Sequence, residues 1–479
     1  MSDHGRRKLF AVTQPTNRKK ETPEELTPGF QTDIRNKLDD MNVAQDPHLS
    51  KLFDWQIPSA VELRSILECR PIGLDLSDCG TGKTYKTLAV CASLGLEPLI
   101  VAPLSALPTW EDVSKELGVP LYDTINYEKL VRRRDGKFGV WKGPKRWDWN
   151  PELQMSNSKR IVVFDEAHRC KGQTSGSSKL LIGCRRSKVR TLLLSATLAQ
   201  NPLEMKALGY VTNLYSNLSD YWMWARQNGC AKGEWGGLMY RGGQARLESI
   251  HQRLSPLLTR IRVSDIAEHF PRNFVTPKLV PVETPEEVDQ AYLDSLVDDA
   301  DNILVEQLRA RQVSELQKVP AVTDIAVDLL EQGHSVPIFV HFRETMEILN
   351  ARLSEAFAVE QIHGDQTKME RAQSIARFQR NDSWVIIAQS QAGGQSLSMH
   401  DTTGERPRTS LIFPGVSGIQ FQQVLGRIPR AGSKTHATQY ILIAKDTIEH
   451  KNLYPRLKNK LRAQTIINDG DLNAFNTDL

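Results

Sequence analysis

The 479-residue sequence predicts an α/β fold in two lobes, each a mostly parallel sheet with helices on both faces. One observation is a series of short apolar runs separated by stretches with helical periodicity, such as residues 86–94 and 202–214. The runs of this first series are IGLDL (72–76), LIVAP (99–103), RIVVFD (160–165) and RTLLLSA (190–196). A second series repeats the pattern, with PIFVHF (337–342), VEQIHG (359–364), WVIIAQ (384–389), SLIFPG (410–415) and QYILIA (439–444). Short runs without a polar side indicate strands buried on both faces of a sheet.

The order of these elements divides the chain into three regions. Residues 1–45 form a basic polar tail that we expect to be disordered, because little in it could bury a core. Residues 46–280 form the first lobe, which includes a basic and aromatic insertion at 132–150. Residues 281–479 form an acidic linker helix and the second lobe.

The amino-acid composition excludes only a few classes of protein, and the motifs are more informative. Apolar residues make up 40% and charged residues 25%, as in ordinary globular proteins, and the net charge of +4 is only mildly basic. No apolar run has the length of a membrane span, and the N-terminus lacks the apolar core of a signal peptide. The six cysteines form no zinc-binding pattern. We therefore expect a soluble cytoplasmic or nuclear protein without a structural zinc.

A phosphate-binding loop is predicted where the run IGLDL meets a helix. Glycines let backbone N–H groups close around phosphates, and the helix N-terminus adds a favourable field. Lys83 can reach the β- and γ-phosphates, and the Thr84 hydroxyl can ligate Mg²⁺. The residues predicted to bind the nucleotide here are Gly80, Thr81, Gly82, Lys83 and Thr84. Ser77 replaces the first glycine of the usual loop pattern.

Two carboxylates lie at the carboxyl end of the strand RIVVFD, where ligands bind in open α/β sheets: Asp165 ends it and Glu166 follows. Asp165 is placed to hold Mg²⁺, and Glu166 to orient and deprotonate an attacking water. An ordinary acidic strand end is the alternative interpretation. The phosphate loop about 80 residues earlier favours the catalytic one.

A third part of the site is predicted in the second lobe, where Gln423 begins the segment QVLGRIPR. Its two arginines, Arg427 and Arg430, are three apart, which predicts one face of a short helix. Across a cleft, guanidinium groups can neutralise charge that develops on a γ-phosphoryl group. Alone, such a pair more often marks a solvated face; with the other two motifs it indicates arginine fingers.

In their order, these motifs resemble those of superfamily 2 helicases and translocases, most closely the SWI/SNF-type branch with its small annealing-helicase relatives. Beside G-T-G-K-T and DEAH (165–168), the motifs are VAPLSALPTW (101–110), INYEKL (125–130), LSATLAQNPLEMKAL (194–208), FVHF (339–342), IHGD (362–365), SQAGG (390–394) and QVLGRIPRAG (423–432). The resemblance implies two RecA-like lobes with the ATP cleft between them, and ATP with Mg²⁺ as the bound nucleotide and metal.

The resemblance also implies roles for residues outside the phosphate loop. Gln56 corresponds to the glutamine that reads adenine, and Ser195 and Thr197 to a motif that couples hydrolysis to lobe movement; a turn at a strand end explains the latter two equally. The residues implied to face the nucleic-acid backbone are Pro103, Ser105, Asn126, His363, Gly364, Ser390, Gly393 and Gly394. Pro429, Ser433 and Ser396 depart from the family pattern and leave the strength of coupling between DNA and ATP open.

The insertion at 132–150 combines seven basic residues with four aromatic ones. Basic side chains such as Arg133 bind phosphates without regard to sequence, and Trp141 and Trp147 can stack on unpaired bases. The alternative is a surface hairpin whose tryptophans pack on the lobe.

The sequence is compatible with three functions. The leading hypothesis is an ATP-dependent DNA helicase or translocase, a nucleic-acid-stimulated ATPase that acts on duplex or forked DNA. An ATP-dependent RNA helicase is the second hypothesis, which the segment QNPLE after LSAT disfavours. A nucleic-acid-binding scaffold with a vestigial ATPase is the third.

Overall fold

The computed structural model describes residues 46–156, 158–233, 237–295, 303–390, 398–415, 417–430 and 432–469. The predicted tail at 1–45 and the residues Gly393, Gly394 and Ser396 lie outside the described residues.

The first lobe contains a six-stranded parallel sheet in the order β10-β1-β7-β6-β2-β3. Its strands are β1 (Ile72–Asp75), β2 (Glu97–Ala102), β3 (Asp123–Asn126), β6 (Arg160–Asp165), β7 (Thr191–Leu194) and β10 (Leu258–Thr259). Two antiparallel hairpins are added to it, β4 (Gly139–Lys142) with β5 (Arg146–Trp149), and β8 (Cys230–Lys232) with β9 (Leu238–Tyr240). The order places β1, β7 and β6 side by side in the sheet.

The second lobe contains a second six-stranded parallel sheet in the order β11-β16-β15-β12-β14-β13. Its strands are β11 (Asn273–Val280), β12 (Val336–Val340), β13 (Val359–Ile362), β14 (Val385–Gln389), β15 (Arg408–Ile412) and β16 (Ala437–Ala444). The prediction of an α/β fold with two RecA-like lobes is therefore confirmed.

Helices cover both faces of each sheet. Those of the first lobe are α1 (Ile57–Cys69), α2 (Lys83–Ser93), α3 (Leu107–Leu117), α4 (Tyr127–Arg132), α5 (Gly176–Arg186), α6 (Lys206–Val211), α7 (Tyr221–Gln227) and α8 (Gln244–Leu254). The remaining ones are α9 (Pro285–Asp294), α10 (Ile303–Gln317), α11 (Val319–Glu331), α12 (Arg343–Leu353), α13 (Lys368–Gln379), α14 (Gly418–Leu425) and α15 (Tyr454–Asp469). Hydroxyl caps define three starts: Ser175, Thr367 and Ser417 accept the N–H groups that α5, α13 and α14 leave unpaired.

Alternate side chains of each strand enter different cores, which explains why the strands have no polar side. In β6, Ile161 and Val163 pack on one face of the sheet and Val162 and Phe164 on the other. β14 divides its side chains between two cores in the same way. Each sheet is thus buried on both faces, as the sequence predicts.

The boundary between the lobes lies earlier than the predicted residue 280. β11 pairs along its whole length with β16, so it belongs to the second sheet, and the chain leaves the first sheet after Thr259. β11 is an edge strand that contains Pro277 and several part-exposed side chains. A proline is tolerated at a sheet edge, and this half-polar pattern does not read as a buried strand.

The last described helix, α15, returns to the first lobe. Leu457 and Leu461 pack in the core of the second lobe, whereas Ile466 and Ile467 pack in the core of the first. Within the parts of the chain that the structure describes, no helix has the length and apolar character needed to cross a membrane.

Candidate functional site

The loop between β1 and α2 has the conformation that a phosphate-binding loop requires. Gly80 (φ +86°) and Gly82 (φ +74°) both adopt left-handed backbone conformations, which side chains with a Cβ rarely adopt. Lys83 begins α2 and folds back over the loop, where its Nζ donates to the carbonyl oxygens of Ser77 (2.7 Å) and Asp78 (2.9 Å). The predicted motif therefore forms a glycine-rich loop at a helix N-terminus, with a lysine amine held over it.

Ser77, the departure from the usual loop pattern, ties the base of the loop together. Its hydroxyl donates to Asp75 and accepts from Lys86 Nζ (3.1 Å) and from the backbone N–H of Ile261 (3.0 Å). A hydroxyl has one proton and two lone pairs, so Ser77 uses its full capacity. Asp75 and Lys86 form a fully buried ion pair of 3.0 Å beneath it. Ser77 thus holds the base of the loop in place through three hydrogen bonds.

Asp165 is oriented by residues of two neighbouring motifs. Trp110 Nε1 donates to its Oδ2 (2.9 Å), and the backbone N–H of Glu166 donates to its Oδ1 (3.0 Å). Tyr127 donates through its hydroxyl to the Asp165 carbonyl (2.7 Å). Neither Trp110 nor Tyr127 is among the residues predicted for the site, although both occur in the quoted motifs VAPLSALPTW and INYEKL.

Glu166 has a strained backbone and an ionised side chain. Its φ of +55° is unusual for a residue with a Cβ, and such strain often occurs at functional sites. Burial alone would raise the pKa of its carboxyl, but the hydrogen bond to His168 and the charges of Lys83 and Arg427 lower that pKa to about 2. Burial and the adjacent Glu166 charge raise the pKa of Asp165 to about 6. Glu166 is therefore a carboxylate at neutral pH, as a residue that orients and deprotonates water must be.

His168 connects the carboxylate to both other parts of the site. Its Nδ1 lies 3.3 Å from Glu166 Oε2 and 3.2 Å from Ser195 Oγ, and its Nε2 lies 3.4 Å from Gln423 Nε2 in the second lobe. Since the Gln423 amide can only donate at that nitrogen, Nε2 accepts and Nδ1 carries the ring proton. Ser195 in turn donates to the Thr197 carbonyl (2.8 Å). The structure thus brings Glu166, Ser195 and Gln423 around a histidine that the residue prediction omitted.

Arg427 and Arg430 lie in a turn after α14, so the prediction that they share a helix face is wrong. The helix ends at Leu425, and Pro429, which lacks an N–H, cannot continue it. The turn lies against the phosphate loop: a Cβ on Gly80 would be 3.0 Å from Arg430 Cδ, and one on Gly426 would be 2.6 Å from Cys79 Cβ. Burial lowers the pKa of both guanidinium groups, that of Arg427 to about 10, so Arg427 remains cationic at neutral pH.

Gln56 is buried against the phosphate loop. Its Nε2 donates to the Thr81 carbonyl (2.9 Å), and its Oε1 accepts from the Phe53 N–H (3.1 Å). The side chain thus braces the backbone of the loop.

The residues present fit a magnesium ion held mainly by a nucleotide. Mg²⁺ usually takes one or two protein ligands and fills its other positions with phosphate oxygens and waters. Thr84 is the second residue of α2, and Asp165 ends β6 two strands away from β1. Among the described residues, no group of three or more His, Cys, Asp and Glu side chains forms a complete metal cage.

The described residues predicted to face nucleic acid follow strands at the carboxyl edges of the two sheets. Pro103 and Ser105 follow β2, and Asn126 ends β3, beside the strands that carry the nucleotide site. In the second lobe, His363 and Gly364 follow β13, and Ser390 follows the adjacent strand β14.

Some of these side chains have hydrogen-bonding capacity to spare. Among the described residues, the buried Oγ atoms of Ser105 and Ser390 find no hydrogen-bond partner. Buried hydroxyls are normally paired, so both oxygens are candidates for contact with a ligand.

The insertion is a hairpin whose tryptophans pack on the lobe, and the prediction that Trp147 stacks on bases is wrong because its ring is buried. Trp147 is buried at 1% exposure, in edge-to-face contact with Trp141 (5.4 Å) and Trp149 (5.6 Å). Trp141 is part-buried and donates to the Val131 carbonyl (3.1 Å). Arg133 pairs with Asp135 and lies over the Phe138 ring, so it too is occupied within the lobe.

Replacing Trp147 by Ala is therefore expected to destabilise the first lobe by about 3–5 kcal/mol without changing nucleic-acid affinity of the folded protein. Chemical denaturation and binding titrations on the same protein measure the two effects. Trp222→Ala is the control, since Trp222 is 42% exposed and its loss should destabilise the lobe less than the loss of Trp147. Weakened binding at unchanged stability would restore the stacking role.

Known proteins resemble the chain in both lobes. The model of the helicase conserved C-terminal domain matches residues 317–432. A protein of Acanthamoeba polyphaga mimivirus with the provisional name ATP-dependent RNA helicase is 32% identical over 464 residues, which cover 89% of this chain and 85% of the relative. The human SWI/SNF-related matrix-associated actin-dependent regulator of chromatin subfamily A member 1 is 23% identical over 87% of this chain and 43% of its own length.

Solved structures were matched more distantly. The Sulfolobus solfataricus SWI2/SNF2 ATPase core in complex with dsDNA is 18% identical with a TM-score of 0.37, over 88% of this chain and 93% of that one. S. cerevisiae Dbp5 bound to RNA and ADP BeF3 is 14% identical with a TM-score of 0.47, over 86% and 92%. The mimivirus relative matches over most of both sequences, and the SWI/SNF-related protein matches over most of this chain. The chain therefore belongs to the superfamily 2 helicases and translocases, in their SNF2-like branch.

Proposed function

We propose that the chain is an ATP-dependent DNA translocase or helicase, which couples ATP hydrolysis to movement along DNA or to its remodelling. Membership of the family implies an ATP-hydrolysing helicase or translocase.

The observation that carries the proposal is the division of the nucleotide site between two lobes. Lys83, Asp165 and Glu166 belong to the first lobe, and Arg427 and Arg430 reach the same place from the second. A site of this kind is complete only when the lobes are together, so each ATP cycle is linked to closing and opening.

In the proposed reaction, each side chain has one task. Lys83 and the two arginines neutralise charge on the phosphates, while Glu166 orients the attacking water and takes its proton. Thr84 and Asp165 would hold a Mg²⁺ ion, which would supply further neutralisation of phosphate charge when bound. His168 keeps the Glu166 carboxylate in place and contacts Gln423 of the second lobe.

DNA as the polymer is supported by the segment QNPLE, in which this chain resembles the SWI/SNF-type branch. In the amide orientation that satisfies both of its groups, Gln200 accepts from the N–H groups of Gly418 (3.1 Å) and Ile419 (3.2 Å). Asn201 accepts from the Leu203 N–H (2.9 Å) and starts the turn that follows. The segment is therefore an interlobe contact at the start of α14.

An RNA helicase is the second candidate, favoured by the name of the mimivirus relative. ATP turnover in parallel with duplex DNA, single-stranded DNA, forked DNA and RNA distinguishes the two. We expect duplex or forked DNA to stimulate turnover more than RNA of the same length; stimulation by RNA alone would refute the DNA proposal. Strand-displacement and annealing assays on the same forks then separate an unwinding enzyme from a translocase.

The nucleic-acid path is proposed to follow the carboxyl edges of both sheets. It would pass Ser105 and Asn126 in the first lobe and His363, Gly364 and Ser390 in the second. Opening and closing of the lobes would shift these two sets relative to each other and move the polymer. The exposed residues Lys142, Lys145 and Arg146 of the hairpin remain candidates for additional phosphate contacts.

A further inference from the structure

The end of α15 is fastened to the base of the phosphate loop. Arg260, which follows β10, donates to both carboxylate oxygens of Asp469, with Nη2 2.9 Å from Oδ2. The same guanidinium donates to the Leu76 carbonyl and lies 3.2 Å from Asp78 Oδ1. A continuous set of contacts therefore runs from the last residue of α15 to the strand end that starts the loop.

Asp78 links Arg260 to the catalytic lysine, Lys83. Its carbonyl accepts from Lys83 Nζ (2.9 Å), and its carboxylate accepts from the Val263 N–H (3.0 Å). Its backbone N–H donates to the Ile261 carbonyl (2.9 Å). Asp78 is thus held on one side by the segment containing Arg260 and contacts Lys83 on the other.

The residue before Asp469 touches the other half of the site. Asn468 Nδ2 donates to the carbonyl of Ala196 (2.8 Å), between Ser195 and Thr197. Ser195 is the residue that contacts His168. The same helix end therefore contacts the LSAT segment directly and is linked to the phosphate loop through Arg260.

A carboxylate is a costly choice at this position. Burial takes a charged group out of water, which costs free energy unless the charge is paired. The Asp469 side chain is buried, at 2% exposure, and Arg262 Nε lies 3.5 Å from its Oδ1 beside the Arg260 contacts. Arginine is suited to such a site because its planar fork matches a carboxylate.

The other end of α15 belongs to the second lobe. Leu457 and Leu461 pack there, and Gln464, one turn before Asn468, donates to Gln422 of α14. α14 leads directly to Arg427. A helix is stiff over four turns, so α15 connects the arginine-bearing element to the loop by a second route, separate from the cleft.

We propose that Asp469 is a positioning residue for ATP binding. Through Arg260 it sets the phosphate loop in place, so that the docking of α15 on the first lobe determines how well the loop holds the nucleotide. The inference rests on the proposed ATPase function and adds a residue that touches neither nucleotide nor polymer.

Replacement of Asp469 by Asn tests this with little change of shape. We expect the KM for ATP to rise about tenfold, the size of one lost charge-assisted hydrogen bond, with a smaller change in kcat. Asp469→Glu, which keeps the charge, should recover most of the affinity. Asp265→Asn is the matched control, because Asp265 pairs with Arg262 at an exposed position and its loss should leave KM unchanged.

The readouts separate this inference from the proposed function. No ATP hydrolysis by the unaltered chain would defeat the proposed function itself. Hydrolysis by the unaltered chain with the same KM and kcat in Asp469→Asn, even at lower thermal stability, would overturn the positioning role alone. If the Asn variant does not fold, Arg260→Lys keeps the charge and removes the fork, and an unchanged KM in that variant would overturn the proposal equally.

Discussion

Glu166→Gln is expected to lower ATP turnover by about 10²–10⁴-fold, the range typical of a lost general base. Glutamine keeps the size of the side chain and can still accept a hydrogen bond from His168, but it cannot take a proton from water. The low pKa of Glu166 means that the carboxylate is present throughout the neutral range, so its titration should not change the turnover of the unaltered chain near neutral pH.

Phosphate release in single-turnover and steady-state conditions measures the loss, and binding of a fluorescent ATP analogue tests whether affinity persists. Glu331→Gln, at an exposed position at the end of α11, is the control and should hydrolyse ATP normally. Unchanged hydrolysis in Glu166→Gln would point to a contaminating ATPase and would revive the scaffold hypothesis.

Replacement of Arg430 or Arg427 by Ala is expected to lower kcat by about 10³–10⁵-fold, as for arginine fingers elsewhere. Both residues come from the second lobe, and the Arg430 side chain lies against Gly80 of the phosphate loop. Burial lowers the pKa of both guanidinium groups, that of Arg427 to about 10, so Arg427 stays cationic at neutral pH. Lysine at either position keeps the charge but loses the planar fork, so it should recover only part of the rate.

Turnover with saturating polymer and ATP measures this effect, and nucleotide affinity is measured separately. Arg380→Ala is the control in the same lobe, because Arg380 is 63% exposed and pairs with Asp382. A loss of ATP affinity without any loss of kcat would show that the arginines bind the ground state and do not act on the transition state.

The local pattern of apolar residues was sufficient to predict much of the fold. Strands such as β6 and β14 are apolar on both sides because each sheet is covered twice, and this property is visible in a single sequence. β11 was missed because an edge strand needs only one paired side and tolerates Pro277.

The hairpin in the insertion at 132–150 shows that composition alone does not distinguish a binding surface from a packed element. Basic and aromatic residues in one short segment suit a nucleic-acid surface and a packed hairpin equally well. Trp147 and Trp149 are two residues apart, so they share a face of β5, and that spacing was the available sign of a buried face. Only the contact with α5 decides the matter: a Cβ on Gly183 would be 2.7 Å from the Trp147 carbonyl.

The sequence by itself determined the phosphate loop, the DEAH carboxylates, the arginine pair and the two parallel sheets, because each depends on residues close together in the chain. Tertiary structure alone decided that His168 meets Gln423, 255 residues away, and that Arg260 meets Asp469, 209 residues away. Such contacts depend on how two separately formed cores are packed together. Burial of Ile466 and Ile467 in the core of the first lobe is part of that packing, which is a property of the assembled surfaces rather than of any local pattern.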